Sequence, residues 1–443
     1  MFPAHRGPQV AIIEAATGAV VTYDELAMRV SGRVPWARRF SGGVAFLGMR
    51  PSIERVVDLL ALIEADVTTS LIDPSLNHDV IDAWIRAYRP ELVIGLADHD
   101  RAVDVGADNV TVTTDAVLLA TSGSTGNPKF VRLSRSNLLS NAEQIANALG
   151  IGPGHRAFAH LPLFYSYGLS ILTSHLFAGA SVVITGSSAI RPEFWDEMER
   201  HQATSLAGVP YHFEKYRRMK LIERHLPHLR DVTQAGGRLN PASVREFRDG
   251  LAARDVRLWI MYGQTEATAR ICVLPSEELA EAVGSVGYAL LGGQIDIAEP
   301  DDNGSGEVMY SGPNVMLGYA ESRSDVNVGD RVGGLLATGD IGRLDEHGRL
   351  WITGRTKRIA KVFGTRVNLD DIERRLSELG HTLAVVAGED GIDVYYESNT
   401  EIDGLAKQCE RLLGLPPRTV RAVRLPALPT TAAGKISYQE LSR

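Results

Sequence analysis

Cysteine is scarce in this sequence of 443 residues, which contains only Cys272 and Cys409. The two thiols are far apart in the chain and lack the close spacing of a metal-binding cluster. A secreted scaffold held by disulfides would carry more cysteines, so two isolated thiols favour a reducing compartment. We therefore expect a cytoplasmic protein whose fold depends on its hydrophobic core.

Long hydrophobic runs are also missing. No apolar stretch reaches about 18 residues, the length that a membrane-spanning helix needs. The N-terminal segment MFPAHRGPQVAI lacks a basic start followed by a long apolar core, so we expect no signal peptide. The formal net charge of -8 argues against nucleic acid as the main partner, because a phosphate backbone demands a basic face. We expect a soluble protein with neither a membrane nor a nucleic acid as partner.

The sequence does have length and a regular alternation of elements. With 44% hydrophobic residues, the chain can bury more than one core, which predicts two or three domains. Short apolar runs with strand character alternate with amphipathic stretches. Thr22 and Glu25 fit a helix capping box, and Ser136 is expected to cap a later helix that Gly150 ends. This alternation predicts an α/β fold with a mainly parallel sheet.

The pattern changes near Gly284, where Gly, Asp and Asn become frequent and short β runs follow one another. This composition is typical of hairpins and predicts a small β-rich subdomain over about residues 284–354. A candidate boundary follows at Gly354-Arg355-Thr356-Lys357. We therefore expect an N-terminal core of α/β subdomains plus the β-rich subdomain over residues 1–354, and a small α+β domain over residues 355–443.

One loop has the composition that binds phosphate. It follows the apolar run VLLA and reads TSGSTGNPK, from Thr121 to Lys129. Glycines allow close approach of the backbone, hydroxyl and N–H groups can donate to phosphate oxygens, and the lysine adds a positive charge. The spacing fits neither the Walker loop nor the G-x-G-x-x-G pattern. From composition alone, a flexible surface loop is an equally good interpretation.

The motifs around this loop carry a family resemblance. The segment LLATSGSTGNPKFVRLSRSNLL resembles the signature loop of the adenylate-forming superfamily, which comprises acyl-CoA synthetases, nonribosomal-peptide adenylation domains and luciferases. Further matches follow in the same order along nearly the whole chain. They are LPLFYSYGL (161–169), AGVPYHF (207–213), QAGGRL (234–239), MYGQTEAT (261–268), TGDIGRLDEHGRLWITGRTKRIAKVFGTRVNLDDIE (338–373) and LPTTAAGKISYQEL (428–441).

The resemblance implies ATP and Mg²⁺ as ligands of a nucleotide site. Tyr262 would lie against adenine, Asp340 would accept from the ribose hydroxyls, and Arg355 would contact ribose or phosphate. Thr265 would donate to the α-phosphate, and Glu266 would hold Mg²⁺. The remaining residues implied for nucleotide binding are Thr121, Ser122, Gly123, Ser124, Thr125, Gly126, Lys129, Gly236, Gly237, Gly263 and Gln264.

The resemblance also implies a mobile C-terminal domain that serves two half-reactions. Lys435 would reach the attacking carboxylate and the α-phosphate, and would offset the repulsion between them. Lys357 stands at the position of the hinge. In the second orientation Lys361 and Gly364 would face the acyl adenylate, with Gly364 leaving room for a thiol arm. CoA or a carrier phosphopantetheine is therefore implied as a possible acceptor.

The acid pocket implied by the motifs combines aromatic and small residues, which suggests an aryl or medium-sized apolar acid. Tyr165 replaces the histidine usual at this position in the family, and the C-terminal domain is short, so the second half-reaction is less well supported than the first. The acceptor could instead be an amine or another nucleophile. An inactive nucleotide-binding protein is a third hypothesis, disfavoured by the complete set of motif residues. The implied pocket residues are Tyr165, Tyr167, Ala207, Gly208, Ala235, Gly236, Gly263 and Thr268.

Overall fold

The structure is a computed structural model. It describes residues 7–96, 99–102, 113–120, 129–362, 365–377, 382–388, 391–398, 401–402, 404–413, 419–431 and 434–441.

The larger of two central sheets has nine strands in the order β15-β14-β13-β12-β11-β9-β10-β1-β2. The run from β13 to β1 is parallel throughout, and antiparallel strands occupy both edges. The mainly parallel sheet expected from the alternating pattern is therefore confirmed. Numbered along the whole chain, its strands are β1 (Val10–Glu14), β2 (Ala19–Thr22), β9 (Arg156–Ala159), β10 (Ser181–Ile184), β11 (Ser205–Gly208), β12 (Asp231–Gln234), β13 (Arg257–Tyr262), β14 (Cys272–Leu274) and β15 (Tyr288–Ala289).

The second central sheet has seven strands in the order β18-β8-β7-β4-β3-β5-β6. Its middle strands β7, β4, β3 and β5 are parallel, whereas β8 pairs with β7 as an antiparallel hairpin. The predicted phosphate loop connects the two strands of that hairpin. The strands are β3 (Val44–Gly48), β4 (Thr68–Ile72), β5 (Leu92–Ile94), β6 (Arg101–Ala102), β7 (Val117–Ala120), β8 (Phe130–Leu133) and β18 (Gly318–Ala320).

Helices cover both faces of each central sheet, which explains why inner strands such as β3, β4 and β10 are completely buried. Strand β3 illustrates the layering: Ala45 and Leu47 join a buried cluster shared by the two sheets, while Val44 and Phe46 join a cluster on the outer face. The side chains of α1, α2, α4 and α5 pack in the shared cluster, those of α6, α7 and α8 on the far face of the nine-stranded sheet, and those of α3 on the far face of the other. These helices are α1 (Tyr23–Ala37), α2 (Ile53–Glu64), α3 (His78–Tyr88), α4 (Arg135–Leu149), α5 (Ser166–Phe177), α6 (Pro192–Arg200), α7 (Pro210–Arg218) and α8 (Pro241–Ala252).

Helix ends follow their capping residues. Thr22 and Glu25 form the expected capping box at the start of α1, and Gly150 ends α4 with a φ of 64°. The prediction that Ser136 caps α4 was wrong. Ser134 is the cap: its hydroxyl accepts from the Asn137 backbone N–H at 3.0 Å, while the Asn137 side-chain oxygen accepts from the Ser134 N–H at 2.9 Å. Asparagine here takes the part that Glu or Gln has in the usual motif, so the start was misplaced by two residues.

A four-stranded antiparallel sheet of order β16-β17-β19-β20 follows in the region with dense turn residues. Asp345 closes the β19–β20 hairpin, because its side chain accepts from the backbone N–H groups of His347 and Arg349. Two short strands of the same stretch, β15 and β18, pair instead with the central sheets. The strands of this four-stranded sheet are β16 (Gln294–Ala298), β17 (Gly306–Ser311), β19 (Leu335–Leu344) and β20 (Leu350–Arg355).

The remaining residues form two small sheets and short helices with their own buried cluster. The antiparallel pair β21–β22 precedes a three-stranded sheet of order β23-β24-β25. Leu376, Val385, Val394 and Cys409 are fully buried in the cluster between this sheet and its helices. The elements are β21 (Ile359–Val362), β22 (Thr365–Asn368), α9 (Leu369–Ser377), β23 (Leu383–Ala387), β24 (Ile392–Glu397), α10 (Leu405–Leu413), β25 (Val420–Leu425) and α11 (Tyr438–Leu441).

Within the described ranges, no helix has both the length and the apolar composition that crossing a bilayer would require.

Candidate active site

The topology brings three predicted motifs to one edge of the nine-stranded sheet. Strands β11, β12 and β13 are parallel neighbours, so their carboxyl ends meet at that edge. Gly208 ends β11, the segment 235–237 follows β12, and the segment 263–266 follows β13. Crevices outside the carboxyl ends of parallel strands are the usual ligand sites of α/β sheets. Motifs separated by about 55 residues of sequence are therefore adjacent in the fold.

Two glycines of these segments are required by close packing. Gly236 has a φ of +79°, and a Cβ atom there would lie 2.7 Å from the Tyr165 hydroxyl and 2.9 Å from a methyl group of Val209. A Cβ atom at Gly263 would lie 1.9 Å from the carbonyl oxygen of Ala269. Any side chain at either position would therefore displace its neighbours or strain the backbone.

Asp340 connects β19 and β20 to the end of β13. It lies opposite Arg355 in the β19–β20 ladder, and the Arg355 Nε donates to one carboxylate oxygen at 2.9 Å. The hydroxyl of Tyr262 donates to the other oxygen at 2.5 Å. Burial and the Asp340 charge raise the pKa of Tyr262 well above its usual value, so its hydroxyl remains a donor. The carboxylate is 8% exposed, and an ionised carboxylate can accept more hydrogen bonds than these two.

Thr265 and Glu266 form a short turn directly after β13, and each has a partner from another segment. The Thr265 hydroxyl lies 3.1 Å from the hydroxyl of Ser166, the first residue of α5. The Tyr319 hydroxyl donates to Glu266 Oε1 at 2.9 Å. Lys129, the last residue of the predicted phosphate loop, places its Nζ 3.6 Å from the centroid of the Tyr319 ring. Tyr319 thus links the lysine of one motif with the carboxylate of another.

Lys435 enters the same region from the C-terminal segment. A tight turn presents it: the Thr431 N–H donates to the Lys435 carbonyl at 2.7 Å, and Gly434 has a φ of +75°. Its Nζ lies 5.3 Å from the centroid of the Tyr165 ring, and its Cε faces Gly236. Burial, assisted by the charge of Arg355, lowers the pKa of Lys435 to about 8, although Glu266 and Asp340 oppose the shift. The ammonium group is therefore protonated at neutral pH but loses its proton more easily than a surface lysine.

Two of the residues predicted to line the acid pocket use their hydroxyl groups in hydrogen bonds to other parts of the protein. The Tyr167 hydroxyl is bound to Thr233, and the Thr268 hydroxyl donates to the Asn314 carbonyl at 2.6 Å. The Tyr165 ring is half-buried and lies edge-to-face with Tyr167, their centroids 6.4 Å apart. The carboxyl ends of β11 and β12 carry the small predicted residues: Ala207 and Gly208 end β11, and Ala235 and Gly236 follow β12.

The structure describes some of the remaining predicted residues. Gln264 approaches the Thr338 carbonyl at 3.4 Å, and Gly237 accepts a hydrogen bond from Gln234 at 2.7 Å. Lys357 lies in the turn between β20 and β21, and Lys361 lies in β21 opposite Arg366. Seven predicted residues lie outside the described residues: Thr121, Ser122, Gly123, Ser124, Thr125, Gly126 and Gly364.

Sequence reasoning missed three residues of this region. Ser166 lies inside a motif that had been singled out, between the two pocket tyrosines. Tyr319 comes from β18, which is 53 positions from its partner Glu266 in the sequence, and no local pattern indicates it. Arg270 is buried two positions after Thr268, and its signal in the sequence was a positive charge inside the mostly apolar run ATARICVL.

Comparison with known proteins finds similar enzymes. Residues 111–320 match the AMP-binding enzyme family. The oxalate–CoA ligase of Arabidopsis thaliana is 31% identical over 295 residues, which cover 64% of this chain and 56% of that protein. The non-ribosomal peptide synthetase CmlP of Streptomyces venezuelae is 27% identical over 494 residues, covering 100% of this chain and 48% of that protein. The chain thus spans about half the length of the curated relatives it matches.

A solved structure shares the fold. The o-succinylbenzoate CoA synthetase MenE of Bacillus subtilis, in complex with the acyl-adenylate intermediate OSB-AMP, superposes with a TM-score of 0.80. The match covers 98% of this chain and 95% of that one at 22% sequence identity. At this identity the likeness establishes the α/β architecture, which agrees with the fold class expected from the sequence.

Proposed function

Because this chain belongs to the adenylate-forming superfamily, we propose that it is an AMP-forming ligase that activates an organic acid with ATP. The product of the first step is an acyl adenylate, and the second step passes the acyl group to a thiol. The observation that carries the proposal is the position of Lys435, which lies beside Tyr165 and Gly236 at the strand edge that also holds Thr265 and Glu266.

The chemistry has to overcome charge repulsion. A carboxylate must attack the α-phosphate of ATP, and both groups are negative. Lys435 is protonated at neutral pH and only partly exposed, so water screens its charge weakly and the charge can neutralise both anions as they approach. Thr265 adds a hydroxyl donor to the α-phosphate, held in place by Ser166. Catalysis by these residues consists of positioning and charge neutralisation.

The nucleotide occupies the side of the site built by β13, β19 and β20. Asp340 accepts from the ribose hydroxyls while Tyr262 and Arg355 hold its two oxygens in place. The Tyr262 ring gives adenine an aromatic face. The hydroxyl-rich segment from Thr121 to Gly126, with Lys129, holds the β- and γ-phosphates, as the resemblance implies. The nucleotide side of the site also includes Gly236, Gly237, Gly263 and Gln264.

Glu266 is the proposed ligand of Mg²⁺. Its Oε1 is fixed by Tyr319, and no hydrogen bond to its Oε2 occurs in the described part of the chain. Magnesium favours one or two carboxylates together with phosphate oxygens and water, so a single protein carboxylate fits. The bound ion would neutralise phosphate charge as pyrophosphate leaves.

The acid itself is proposed to be an aryl or medium-sized apolar acid. Tyr165 and Tyr167 offer aromatic contact area, and the small residues at the ends of β11 and β12 leave room beside them. The pocket then comprises the two tyrosines with Ala207, Gly208, Ala235, Gly236, Gly263 and Thr268.

The acceptor is proposed to be the thiol of CoA or of a carrier protein. The relatives support each possibility, since one is named a CoA ligase and the other a peptide synthetase. Lys361 and Gly364 would face the adenylate in the second half-reaction, after rotation about Lys357. An amine or other nucleophile is the alternative acceptor, favoured by Tyr165 in place of the family's histidine.

A pyrophosphate-release assay tests the proposal. Aryl, fatty, amino and small acids are each supplied with ATP and Mg²⁺, with and without CoA, and Lys435→Ala serves as the inactive control. Stoichiometric release with one acid, followed by turnover only with CoA, is the expected result. Release that CoA leaves unchanged would move the acceptor to a carrier protein or an amine. ATP binding without release across the whole panel would leave a nucleotide-binding protein and overturn the enzymatic proposal.

A further inference from the structure

Arg270 is a buried cation that the proposed chemistry does not use. It lies between β13 and β14 and is 3% exposed. Its backbone is fixed from two sides: its N–H donates to the Asn141 side-chain oxygen at 3.2 Å, and its carbonyl accepts from the Asn141 and Asn314 amides at 3.0 and 2.9 Å. The side chain therefore starts from a rigid point next to the acid pocket.

Among the described residues, the guanidinium group of Arg270 has no counter-ion. Its Nε donates to the Met261 sulfur at 3.4 Å, and its central carbon lies 3.9 Å from the centroid of the Tyr167 ring. Within the described residues, no carboxylate oxygen lies within 4.0 Å of it, and its two terminal nitrogens have no hydrogen-bond partner. Burial lowers the pKa of Arg270. An enclosed arginine without an acid is costly, so some other gain must explain it.

Another buried arginine shows the usual solution. Arg132 is 0% exposed, and its guanidinium forms two hydrogen bonds to the Asp115 carboxylate at 2.8 and 2.9 Å. Asp231, the carboxylate that lines the same cavity as Arg270, is already bound by Arg257 and by the Trp259 indole N–H. The described part of the chain therefore provides a carboxylate for the buried, structural Arg132 and none for Arg270.

The cavity next to Arg270 adjoins the proposed acid pocket. Ala207 and Thr233 line it together with Arg270, and Thr233 is also the residue that holds the Tyr167 hydroxyl. Its volume is about 30 Å³, enough for a group of the size of a carboxylate. Tyr165 lies near both cations. The centroid of its ring is 5.3 Å from Lys435 Nζ. Burial raises the pKa of Tyr165 to about 12, and the charge of Arg270 partly opposes this rise.

We propose that the acid activated by this protein has a second carboxylate at the far end of its aryl or apolar body, and that Arg270 binds this second carboxylate. The proposal rests on the proposed function, because it assigns the far end of the acid whose reacting carboxylate meets Lys435. A planar guanidinium matches a carboxylate with two parallel hydrogen bonds. The tyrosines then contact the body of a diacid between its two charged ends, and a monoacid leaves Arg270 unpaired.

Matched pairs of acids test this assignment. Hexanoate is compared with adipate, and 3-phenylpropanoate with 3-(2-carboxyphenyl)propanoate, in pyrophosphate release by the wild type, Arg270→Met and Arg270→Lys. The wild type is expected to favour the diacid of a pair. In Arg270→Met the ratio of diacid to monoacid kcat/KM should fall by about 30-fold or more, the size expected when one partner of a buried charge pair is lost. Arg270→Lys should retain part of the ratio. Arg29→Met, at an exposed arginine, controls for loss of a positive charge elsewhere.

Thermal unfolding separates binding from a structural role. Removing an unpaired buried charge should leave the Tm of Arg270→Met equal to or above that of the wild type. A lower Tm together with an unchanged diacid-to-monoacid ratio would show that Arg270 serves the fold and would overturn the inference. If no acid releases pyrophosphate, the proposed function fails, and the Tm shift with adipate decides about Arg270. A shift in the wild type that is absent from Arg270→Met supports the subsite, whereas equal shifts or no shift in either protein reject it.

Discussion

Lys435 is the residue whose loss should affect the first half-reaction most directly. Lys435→Ala removes the positive charge that lies beside Tyr165 and Gly236, where we propose that the carboxylate meets the α-phosphate. We expect pyrophosphate release to slow by roughly 10²–10³-fold, the effect of losing one preorganised electrostatic donor. Lys220→Ala, at a lysine whose side chain is 72% exposed, is the matched control. Near-normal release in Lys435→Ala would remove this lysine from the mechanism.

The pKa of Lys435 gives the reaction a pH dependence with a defined sign. In the proposed mechanism the active form of Lys435 is protonated, and burial lowers the pKa of Lys435 from 10.5 to about 8. As pH rises through about 8, the charge is lost, so kcat/KM for pyrophosphate release should fall, approaching tenfold per pH unit on the alkaline side.

Lys435→Arg tests whether this lysine is responsible for the alkaline decline. Arginine keeps its charge far above pH 8. Even if the variant is slower, its kcat/KM should stay level to about pH 9. A variant with the same falling limb as the wild type would assign the titration to another group.

Among the structural elements, the β7–β8 hairpin carries the predicted phosphate loop and is held by a buried ion pair. Asp115 precedes β7 and Arg132 lies in β8, and both side chains are fully buried. Asp115 also accepts from the Asn327 backbone N–H at 2.7 Å, and Arg132 donates to the Gly329 carbonyl at 2.8 Å. The pair thus attaches both strands of the hairpin to the segment that follows β18.

Breaking this pair from one side should be strongly destabilising. Arg132→Met leaves the Asp115 carboxylate buried without its cation, which should lower the free energy of unfolding by about 3–5 kcal/mol. Urea denaturation followed by circular dichroism measures the change. Arg29→Met is the comparison, since the Arg29–Glu54 pair is exposed and its loss should cost about 0–1 kcal/mol. Equal effects of the two variants would contradict the structural role given to the buried pair.

The sequence predicted elements well where a local signal determined them. The capping box at Thr22 and the glycine end at Gly150 were placed correctly, since both depend on residues next to each other in the chain. The start of α4 was misplaced because both Ser134 and Ser136 could cap, and the choice depended on Asn137. The pairing of β15 and β18 with the central sheets could not be predicted, because partners distant in sequence determine it.

Prediction of the site from sequence was limited in the same way, because contacts between segments distant in the chain leave no local signal. The proximity of the motif residues at the ends of β11, β12 and β13 could be predicted from sequence, because the carboxyl ends of parallel strands share one edge of the sheet. Tyr319 beneath Lys129 could not, since its segment matched no quoted motif. Arg270 carried only a weak signal, and its importance depends on the absence of a counter-ion within the described chain, which only coordinates reveal.

On the scale of the whole molecule, the contacts around residue 357 define a pivot. Arg355 is bound to Asp340, and the Thr356 hydroxyl donates to the Gly339 carbonyl at 3.1 Å, so both belong to the preceding sheet. Arg358 is bound to the following segment, with ion pairs to Asp370 at 2.6 Å and Glu373 at 2.9 Å. In the sequence, residue 357 lies between the residues that make these two sets of contacts. We propose that the C-terminal domain rotates at Lys357, so that Arg355 and Thr356, the first residues of the predicted domain 355–443, stay with the preceding sheet.

A proline at this position should separate the two half-reactions. Lys357 lies in a 3₁₀ turn, whose backbone angles proline can adopt, so Lys357→Pro should preserve the arrangement in which Lys435 reaches the site. Rotation to the second orientation requires a change of backbone angles that proline resists. Pyrophosphate release in a single turnover should therefore stay within about threefold of the wild type, while transfer of the acyl group to CoA slows tenfold or more. Lys357→Ala, which leaves the backbone free, should transfer at close to the normal rate. If both variants transfer normally, the pivot lies elsewhere; if both fail in the first step, residue 357 serves adenylation itself.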